Sequence, residues 1–238
     1  LMGNKLISCV ISCYNEEKNI PILLDQIQKN NLDEKFEIII VNNGSTDNSS
    51  KIIDQIKVNF KNIIFINIAE DLGWGNGIMS GLNIASGNYV GWTHGDLQYE
   101  LNTLNEVYNL IKNPENQNKS LLIKGIRKKR SFSENFFTKC MSILASIILF
   151  KKLHDINAQP NFFSRDILNL FENPPKDLML DLYLYNKISS LKKKKIIRLS
   201  VTQNKRLHGV SSWKKNFFSN CTLSLKQLVG IIKIKLNN

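Results

Sequence analysis

The segment His94-Gly95-Asp96-Leu97-Gln98 carries the residue types best suited to metal and phosphate chemistry in this chain of 238 residues. Asp96 and Gln98 are two positions apart, so an extended loop brings their side chains to the same side. Carboxylate and amide oxygens suit Mg²⁺ or Mn²⁺, whereas the imidazole of His94 favours Mn²⁺ or softer metals. A metal held there can also bind a diphosphate. A second interpretation is that Asp96 caps the helix that follows it.

Alternating strand and helix patterns must position this segment. β-Branched runs predict strands, and apolar residues three and four apart predict helices. Their alternation predicts an α/β fold with a mostly parallel sheet, in which ligands bind at the carboxyl ends of the strands. We therefore expect three polar clusters that follow strands to meet at one edge. The predicted strands are 6–12, 36–41, 63–68, 88–93 and 121–125, and the polar clusters are 14–17, 42–47 and 94–98.

The pattern changes after residue 125, where a basic loop precedes helices, a further strand and an amphipathic tail. No linker rich in Pro, Gly or Ser interrupts the chain. We therefore expect a single domain with a C-terminal helical extension. The expected divisions are a domain at 1–213, made of two halves at 1–126 and 127–213, and an amphipathic helix at 214–238. The elements expected in the second half are helices at 135–150 and 178–190 and a strand at 196–201.

Charge is divided unevenly between the two halves of the chain. Residues 1–118 carry 8 basic and 14 acidic side chains, a net −6, and residues 119–238 carry 24 and 6, a net +18. With 42% hydrophobic residues the chain is not disordered, and its four cysteines form no CxxC pair of the kind zinc ribbons use. The longest apolar stretch, 140–150, is about half of what a membrane span needs. The first residues do not resemble a secretory leader, so we expect a cytoplasmic protein.

An ordered series of short motifs makes the chain resemble the family-2 glycosyltransferases with the GT-A fold, a Rossmann-like nucleotide-diphospho-sugar transferase fold. The nearest likeness is to the branch typified by dolichol-phosphate mannose synthase. The resemblance covers nearly the whole chain and implies that residues 1–126 bind the nucleotide sugar and that residues 127–213 bind the acceptor. The matching segments are 10–16 for V-x-P-x-Y-N-E, 40–47 for V-D-D-G-S-x-D, 72–89 for N-x-G-x-G…G-x-x-x-A-x-G-D-Y, 94–98 for D-A-D-L-Q, 125–127 for G-S-R and 206–213 for R-x-x-G-x-S.

The resemblance implies a role for each matching position. Contacts to the nucleotide sugar are implied for Ser12, Tyr14, Asn15, Glu16, Asn42, Asn43, Gly75, His94 and Asp96. The implied metal ligands are Asp96, Gln98 and His94, and the implied phosphate or acceptor ligands are Arg127, Arg206 and Ser211. Arginine suits phosphate because its planar guanidinium can donate two parallel hydrogen bonds.

Four departures from the family pattern point to a divergent subgroup. Ser12 stands where the family has Pro, and Asn42 and Asn43 replace two carboxylates. Because an amide can donate as well as accept, the identity of the nucleotide base stays open. His94 replaces the first Asp of the metal motif. The segment 158–161, Ala-Gln-Pro-Asn, replaces S-G-F-R and lacks its basic residue.

The implied reaction is an inverting sugar transfer by a hexosyltransferase, in which Mg²⁺ or Mn²⁺ neutralises the departing diphosphate. An acceptor hydroxyl needs a carboxylate base, for which Asp181 and Asp177 are candidates, with surface helix residues as the alternative interpretation. A lipid phosphate is already anionic and needs instead a basic site, which the second half offers. The apolar helix 135–150 and the tail 216–236 then either pack in the core or lie on anionic lipid, where the lysines at 192–195 add attraction.

The predicted function is transfer of a sugar from a nucleotide-diphosphate sugar to a polyprenyl phosphate or lipid-linked glycan in cell-envelope glycan synthesis. The expected location is peripheral, on the cytoplasmic face of the membrane. Alternatives are a transferase with a soluble saccharide acceptor and a non-catalytic protein that binds sugar nucleotides. Nucleic acid is not expected as a partner, because aromatic residues are not interleaved with the basic runs and no binding motif occurs. The sequence leaves the oligomeric state open.

Overall fold

A computed structural model describes residues 6–116, 120–130, 132–208 and 217–237, and these form a seven-stranded sheet between two layers of helices. The strands are β1 Ile7–Cys13, β2 Glu37–Asn43, β3 Ile63–Ile68, β4 Tyr89–His94, β5 Ser120–Lys128, β6 Asn161–Ser164 and β7 Lys194–Thr202. Their order is β3-β2-β1-β4-β6-β5-β7. Every neighbouring pair is parallel except those of β6, which runs antiparallel to both β4 and β5. The predicted α/β fold with a mostly parallel sheet is confirmed.

Helices cover both faces of the sheet. They are α1 Ile20–Lys29, α2 Leu32–Lys35, α3 Ser49–Ile56, α4 Trp74–Ile84, α5 Thr103–Lys112, α6 Phe132–Leu149, α7 Leu180–Ser189 and α8 Phe217–Leu236. Side chains alternate along each strand, so β1 sends Cys9 and Ile11 to one face and Val10 to the other. The first face packs against α1, α2, α3 and α5, and the second packs against α4, α6, α7 and α8.

The C-terminal helix α8 joins the second core layer. Ile231 and Ile234 are buried there, and the backbone at Gly230 passes so close to α7's N-cap residue that an added Cβ would lie 2.4 Å from Met179 Sδ. Leu225 and Ile232 on the same helix are exposed. The predicted C-terminal helix is confirmed, and it packs in the core on one side while apolar residues stay exposed on the other. No helix in the described part of the chain is both long and apolar enough to cross a membrane.

Candidate active site

A cleft of about 1120 Å³ opens at the carboxyl ends of β1, β2 and β4 and runs beneath α6 and α8. Predicted site residues that line it are Ser12, Tyr14, Asn15, Glu16, Asn43, His94, Asp96, Gln98, Arg127, Asp181 and Arg206. The structure thus brings together three polar clusters that are far apart in sequence. Ser211 lies outside the described residues, and Asn42 and Gly75 do not line the cleft.

Asp96 is a buried carboxylate on the wall of this cleft. Its Oδ1 accepts a hydrogen bond from the Gln98 backbone N–H at 3.1 Å, and its Oδ2 accepts one from Arg206 Nη2 at 3.0 Å. Between them Leu97 adopts a φ of 57°, a conformation that bulky residues rarely take and that occurs most often at functional sites. The following helix begins only at Thr103, so Asp96 is not its cap. The loop instead aims this carboxylate at the cleft.

Glu16 is the second carboxylate that Arg206 engages. Arg206 Nη1 lies 3.5 Å from Glu16 Oε1, and the Asn19 side-chain amide donates to Glu16 Oε2. Burial raises the pKa of Glu16 to about 7, although the Asn19 hydrogen bond and the Arg206 charge both act to lower it. One guanidinium therefore spans two carboxylates from the ends of different strands.

His94 is part of an aromatic stack rather than a cluster of acidic ligands. Its ring lies 5.1 Å from the Trp74 ring and 6.1 Å from the Tyr99 ring, between centroids. Within the described ranges, no three His, Cys, Asp or Glu side chains come together as a metal cluster. Gln98 lies beside the stack, and its Nε2 donates to the Asn204 carbonyl at 3.1 Å. The first Asp of the family motif is thus replaced by a stacked imidazole.

The two asparagines at the end of β2 donate hydrogen bonds from their side-chain amides to other groups of the protein. Asn42 Nδ2 donates to Asn67 Oδ1 at 3.1 Å, on the neighbouring strand and away from the cleft. Asn43 Nδ2 donates to Asp71 Oδ1 at 2.9 Å and to the Gly73 carbonyl at 3.2 Å. Asp71, which the sequence analysis did not single out, also lines the cleft and brings a carboxylate to this corner.

The loops that follow β1 and β2 are tied to each other. Asn15, with a φ of 54°, accepts the Thr46 backbone N–H on its Oδ1 at 2.8 Å, so its amide joins the loops after β1 and β2. Tyr14 is 41% exposed at the rim. Gly75 allows a close approach of backbone instead of contacting the cleft, because a Cβ there would lie 2.4 Å from the Pro175 carbonyl oxygen.

Arg127 lines the cleft with its charge already paired. Its Nε donates to Asp155 Oδ1 at 2.9 Å, its Nη2 also contacts this carboxylate, and Nη1 reaches Gln203 Oε1 at 3.4 Å. The Arg127 guanidinium, through hydrogen bonds and charge, holds the pKa of Asp155 below its ordinary value despite burial. Arg127 thus holds the segment before β6 against β5.

Asp181 is a buried residue of α7, whereas the alternative interpretation placed it on a helix surface. Its side chain accepts hydrogen bonds from Trp92 Nε1 at 2.9 Å, Asn161 Nδ2 at 2.9 Å and Gln159 Nε2 at 3.0 Å. Burial raises its pKa. Asp177 also lines the cleft, but its Oδ1 accepts the Met179 backbone N–H at 2.9 Å at the start of α7. Of the two candidate bases, Asp181 is the one held by side chains of the sheet.

The far end of the cleft is built from residues that the sequence analysis missed. Arg130 precedes α6 and contacts the Thr138 hydroxyl. The cleft-facing residues of α6 and α8 are Glu134, Phe137, Thr138, Met141, Ser224 and Gln227. Polar residues four apart at 134 and 138, which a helix places on the same side, were the available signal. These helices therefore wall the cleft on one side.

Comparison with known proteins gives a family and a fold. The model of the family described as glycosyl transferase family 2 matches residues 8–171. The chain is 30% identical over 148 residues to an undecaprenyl-phosphate 4-deoxy-4-formamido-L-arabinose transferase of Proteus mirabilis (strain HI4320), covering 61% of this chain and 43% of the relative. It is 27% identical over 175 residues to the dolichyl-phosphate beta-glucosyltransferase ALG5D of Trichomonas vaginalis (strain ATCC PRA-98 / G3), covering 67% and 54%. The chain thus spans about half the length of these curated relatives.

Solved structures share the fold at low sequence identity. Glucosyl-3-phosphoglycerate synthase from Mycobacterium tuberculosis, in complex with Mn²⁺, uridine-diphosphate and phosphoglyceric acid, superposes with a TM-score of 0.72 at 16% identity, covering 97% of this chain and 78% of that chain. Mannosyltransferase PcManGT from Pyrobaculum calidifontis, in complex with GDP-Man and Mn²⁺, gives a TM-score of 0.64 at 15% identity, covering 99% and 74%. The predicted GT-A fold is confirmed.

Proposed function

Since the chain belongs to glycosyl transferase family 2, we propose that it transfers a sugar, with inversion, from a nucleotide-diphosphate sugar to a polyprenyl phosphate or lipid-linked glycan in cell-envelope glycan synthesis. The observation that carries the proposal is the cleft that joins Asp96 at one end to the inner sides of α6 and α8 at the other. In this proposal residues 1–126 bind the donor and residues 127–213 bind the acceptor, except that Arg206 of the second half lies beside Asp96 at the donor end. The relatives named for undecaprenyl and dolichyl phosphate support this class of acceptor.

The donor end suits a diphosphate held with Mg²⁺ or Mn²⁺. Asp96 and Gln98 supply a carboxylate and an amide, and both solved neighbours contain Mn²⁺ with a nucleotide. Asp96 Oδ2 already has a positive group at 3.0 Å, in the form of Arg206, so the carboxylate accommodates a cation. The metal would neutralise the charge on the departing diphosphate. Arg206, which two carboxylates hold at the same place, would bind a phosphate oxygen.

At the acceptor end Asp181 is the proposed base. The acceptor oxygen attacks the anomeric carbon on the face opposite the diphosphate, which gives inversion. A lipid phosphate is already anionic and needs no base, whereas the hydroxyl of a lipid-linked glycan does. Asp181, whose pKa is raised by burial, is suited to accept the proton of such a hydroxyl.

The outward sides of α6 and α8 support a peripheral location on the cytoplasmic face of the membrane. We call these sides the outer face; its exposed apolar residues are Phe136, Ile143, Leu144, Ile147, Phe150, Leu225, Val229, Ile232 and Leu236. Lys139, Lys152, Lys226 and Lys233 are exposed among them. Apolar side chains interspersed with lysines are what an anionic lipid surface attracts.

The test is transfer of radiolabel from UDP-glucose, UDP-N-acetylglucosamine or GDP-mannose, with MnCl₂, to undecaprenyl phosphate in anionic vesicles. We expect label in the organic extract with one donor, and none when MnCl₂ is replaced by EDTA. Label that stays in the aqueous phase on an added saccharide would replace the lipid acceptor by a soluble one. Binding of a nucleotide sugar without any turnover, across donors and acceptors, would instead identify a non-catalytic binding protein.

A further inference from the structure

Lys124 places a cation in the interior of the sheet, where a neutral side chain would be less costly. It lies on β5 with no exposed surface, and its Nζ donates to the Ala158 carbonyl at 3.0 Å and to Asn161 Oδ1 at 2.8 Å. Burial lowers its pKa to about 8, while the charge of Asp181 acts to raise it. Burying an ammonium costs several kcal/mol unless hydrogen bonds and an opposite charge compensate. We therefore looked for a role of Lys124 and its hydrogen-bond partners other than packing.

The hydrogen bonds of Lys124 lead to the proposed base. Asn161 accepts from Lys124 on Oδ1 and donates from Nδ2 to Asp181 Oδ1 at 2.9 Å. An ammonium can only donate, so it keeps the amide oxygen of Asn161 toward itself and the amide N–H toward Asp181. A reversed amide would turn an oxygen toward the carboxylate. Lys124 thus fixes which way Asn161 points.

The two oxygens of Asp181 are held unequally. Oδ1 accepts from Asn161 and Trp92, both at 2.9 Å, and from Gln159 Nε2 at 3.1 Å. Oδ2 accepts from Gln159 Nε2 at 3.0 Å, and Asp181 lines the cleft. Three donors on one oxygen hold the carboxyl group in one orientation and leave the other oxygen with spare accepting capacity.

We propose that Lys124 is a positioning residue: acting through the amide of Asn161, it holds Asp181 in the orientation that presents Oδ2 to the acceptor. Lys124 itself touches no substrate. The inference rests on the proposed function for the part that Asp181 plays in transfer, whereas the orientation of Asp181 can be measured without any turnover.

The test compares Lys124→Met with Arg198→Met. Arg198 lies on β7 directly opposite Lys124 in the register of the two strands. Both cations lie over the Tyr185 ring, with Arg198 at 5.4 Å and Lys124 at 5.7 Å from its centroid. Arg198 donates to the Gly125 carbonyl and makes no hydrogen bond to Asn161 or Asp181 within the described part of the chain. Each variant removes a cation that lies over the Tyr185 ring, but only Lys124→Met also removes the hydrogen-bonded link to Asp181.

The variant Asn161→Ala breaks the same link and leaves the hydrogen bond from Lys124 to the Ala158 carbonyl in place. It decides the question if Lys124→Met does not fold.

The first readout is the indole N–H cross-peak of Trp92 in the ¹⁵N-¹H spectrum, because this group donates directly to Asp181 Oδ1. Three tryptophans give three such peaks, and the one lost in Trp92→Phe is the reporter. We expect Lys124→Met and Asn161→Ala to displace it by several line widths and Arg198→Met to leave it in place. The second readout is transfer in the vesicle assay with a lipid-linked glycan as the acceptor, because its hydroxyl needs the base. We expect kcat to fall about 10- to 100-fold, the usual cost of losing an outer-shell partner, with KM for the nucleotide sugar unchanged.

The proposal is overturned if the Trp92 peak stays in place in both link variants, or if Arg198→Met lowers kcat as much as Lys124→Met. It is also overturned if KM rises while kcat is kept. A displaced Trp92 peak in a protein whose wild type shows no transfer would support the positioning of Asp181 and refute the proposed function, so the two failures are distinguishable.

Discussion

Arg206 shares its guanidinium between Asp96 and Glu16 and so links the segments that follow two different strands. Nη2 lies 3.0 Å from Asp96 Oδ2 and Nη1 lies 3.5 Å from Glu16 Oε1. The arrangement keeps a positive group where a diphosphate would lie and pairs it with two buried carboxylates. Charge-assisted contacts of this kind are stronger and more directional than neutral ones.

The substitution Asp96→Asn tests the donor end. We expect it to lower transfer about 10²- to 10³-fold, as losing one preorganised electrostatic contact does in other enzymes. The fold should persist, because the amide keeps the shape and can still accept the Gln98 N–H. The vesicle assay measures transfer, and Asp25→Asn, at an exposed position paired with Lys29 on α1, is the matched control. Activity within twofold of wild type would remove Asp96 from the mechanism.

The pH dependence of stability tests Glu16. Its pKa rises from an ordinary 4.5 to about 7, first through burial, so between these values the folded chain keeps a proton that the unfolded chain has released. Stability conferred at low pH is therefore lost as pH rises through this interval. Glutamine does not titrate, so we expect the free energy of unfolding of Glu16→Gln to rise relative to that of wild type as pH increases from 4.5 to 7. The total change should be at most about 3 kcal/mol. Urea unfolding at pH 5 and pH 7.5 measures this change, and Glu34→Gln, at an exposed position, is the control. The prediction is contradicted if the free energies of unfolding of Glu16→Gln and wild type differ by the same amount at both pH values.

At the scale of elements, the parallel strands and their helices were predictable and β6 was not. Runs such as Glu37–Asn43 are long, β-branched and buried on both faces, which gives a clear signal. β6 has only four residues, Asn161–Ser164, and pairs antiparallel between strands that lie 33 or more positions away, so only tertiary contacts specify it. It carries Asn161 and follows Gln159, and for that reason the network around Asp181 escaped the sequence analysis.

The packing of α8 gives the prediction at this scale. Ile231 is fully buried in the second core layer, and its neighbour Ile232 is 43% exposed on the outer face. We expect Ile231→Ala to lower the free energy of unfolding by about 2–5 kcal/mol, the range for a large-to-small change in a core. Ile232→Ala should change it by no more than about 0.5 kcal/mol. Urea unfolding compares the two variants, and equal losses would show that α8 does not pack through Ile231.

At the scale of the whole molecule, the uneven charge follows the architecture. The acidic half supplies the ends of β1, β2 and β4, and the basic half supplies α6, α7, α8 and β7. Composition and motif order predicted this division and the edge at which the polar clusters meet. They could not predict which carboxylates are buried, which arginines are already paired or which face of α8 packs, because those properties depend on contacts between distant segments.

Vesicle binding tests the outer face. We expect the double variant Lys226→Glu/Lys233→Glu to weaken binding to anionic vesicles at least tenfold, because each charge near such a surface contributes about 1 kcal/mol and two are reversed. Cosedimentation with phosphatidylserine-containing vesicles measures it. Lys51→Glu/Lys61→Glu changes the net charge equally at exposed positions of the acidic half and is the control. Equal weakening by both pairs would mean that net charge, not this face, governs binding.

The two-sided use of α6 and α8 has a further consequence for how an acceptor would arrive. The same helices wall the cleft on one side and form the outer face on the other, and a helix with its side chains is about 10 Å thick. A carrier lipid lying against the outer face would therefore have its head group within roughly one helix diameter of the cleft. Encounter would then proceed by lateral diffusion in two dimensions, and the hydrocarbon tail would never have to leave the bilayer.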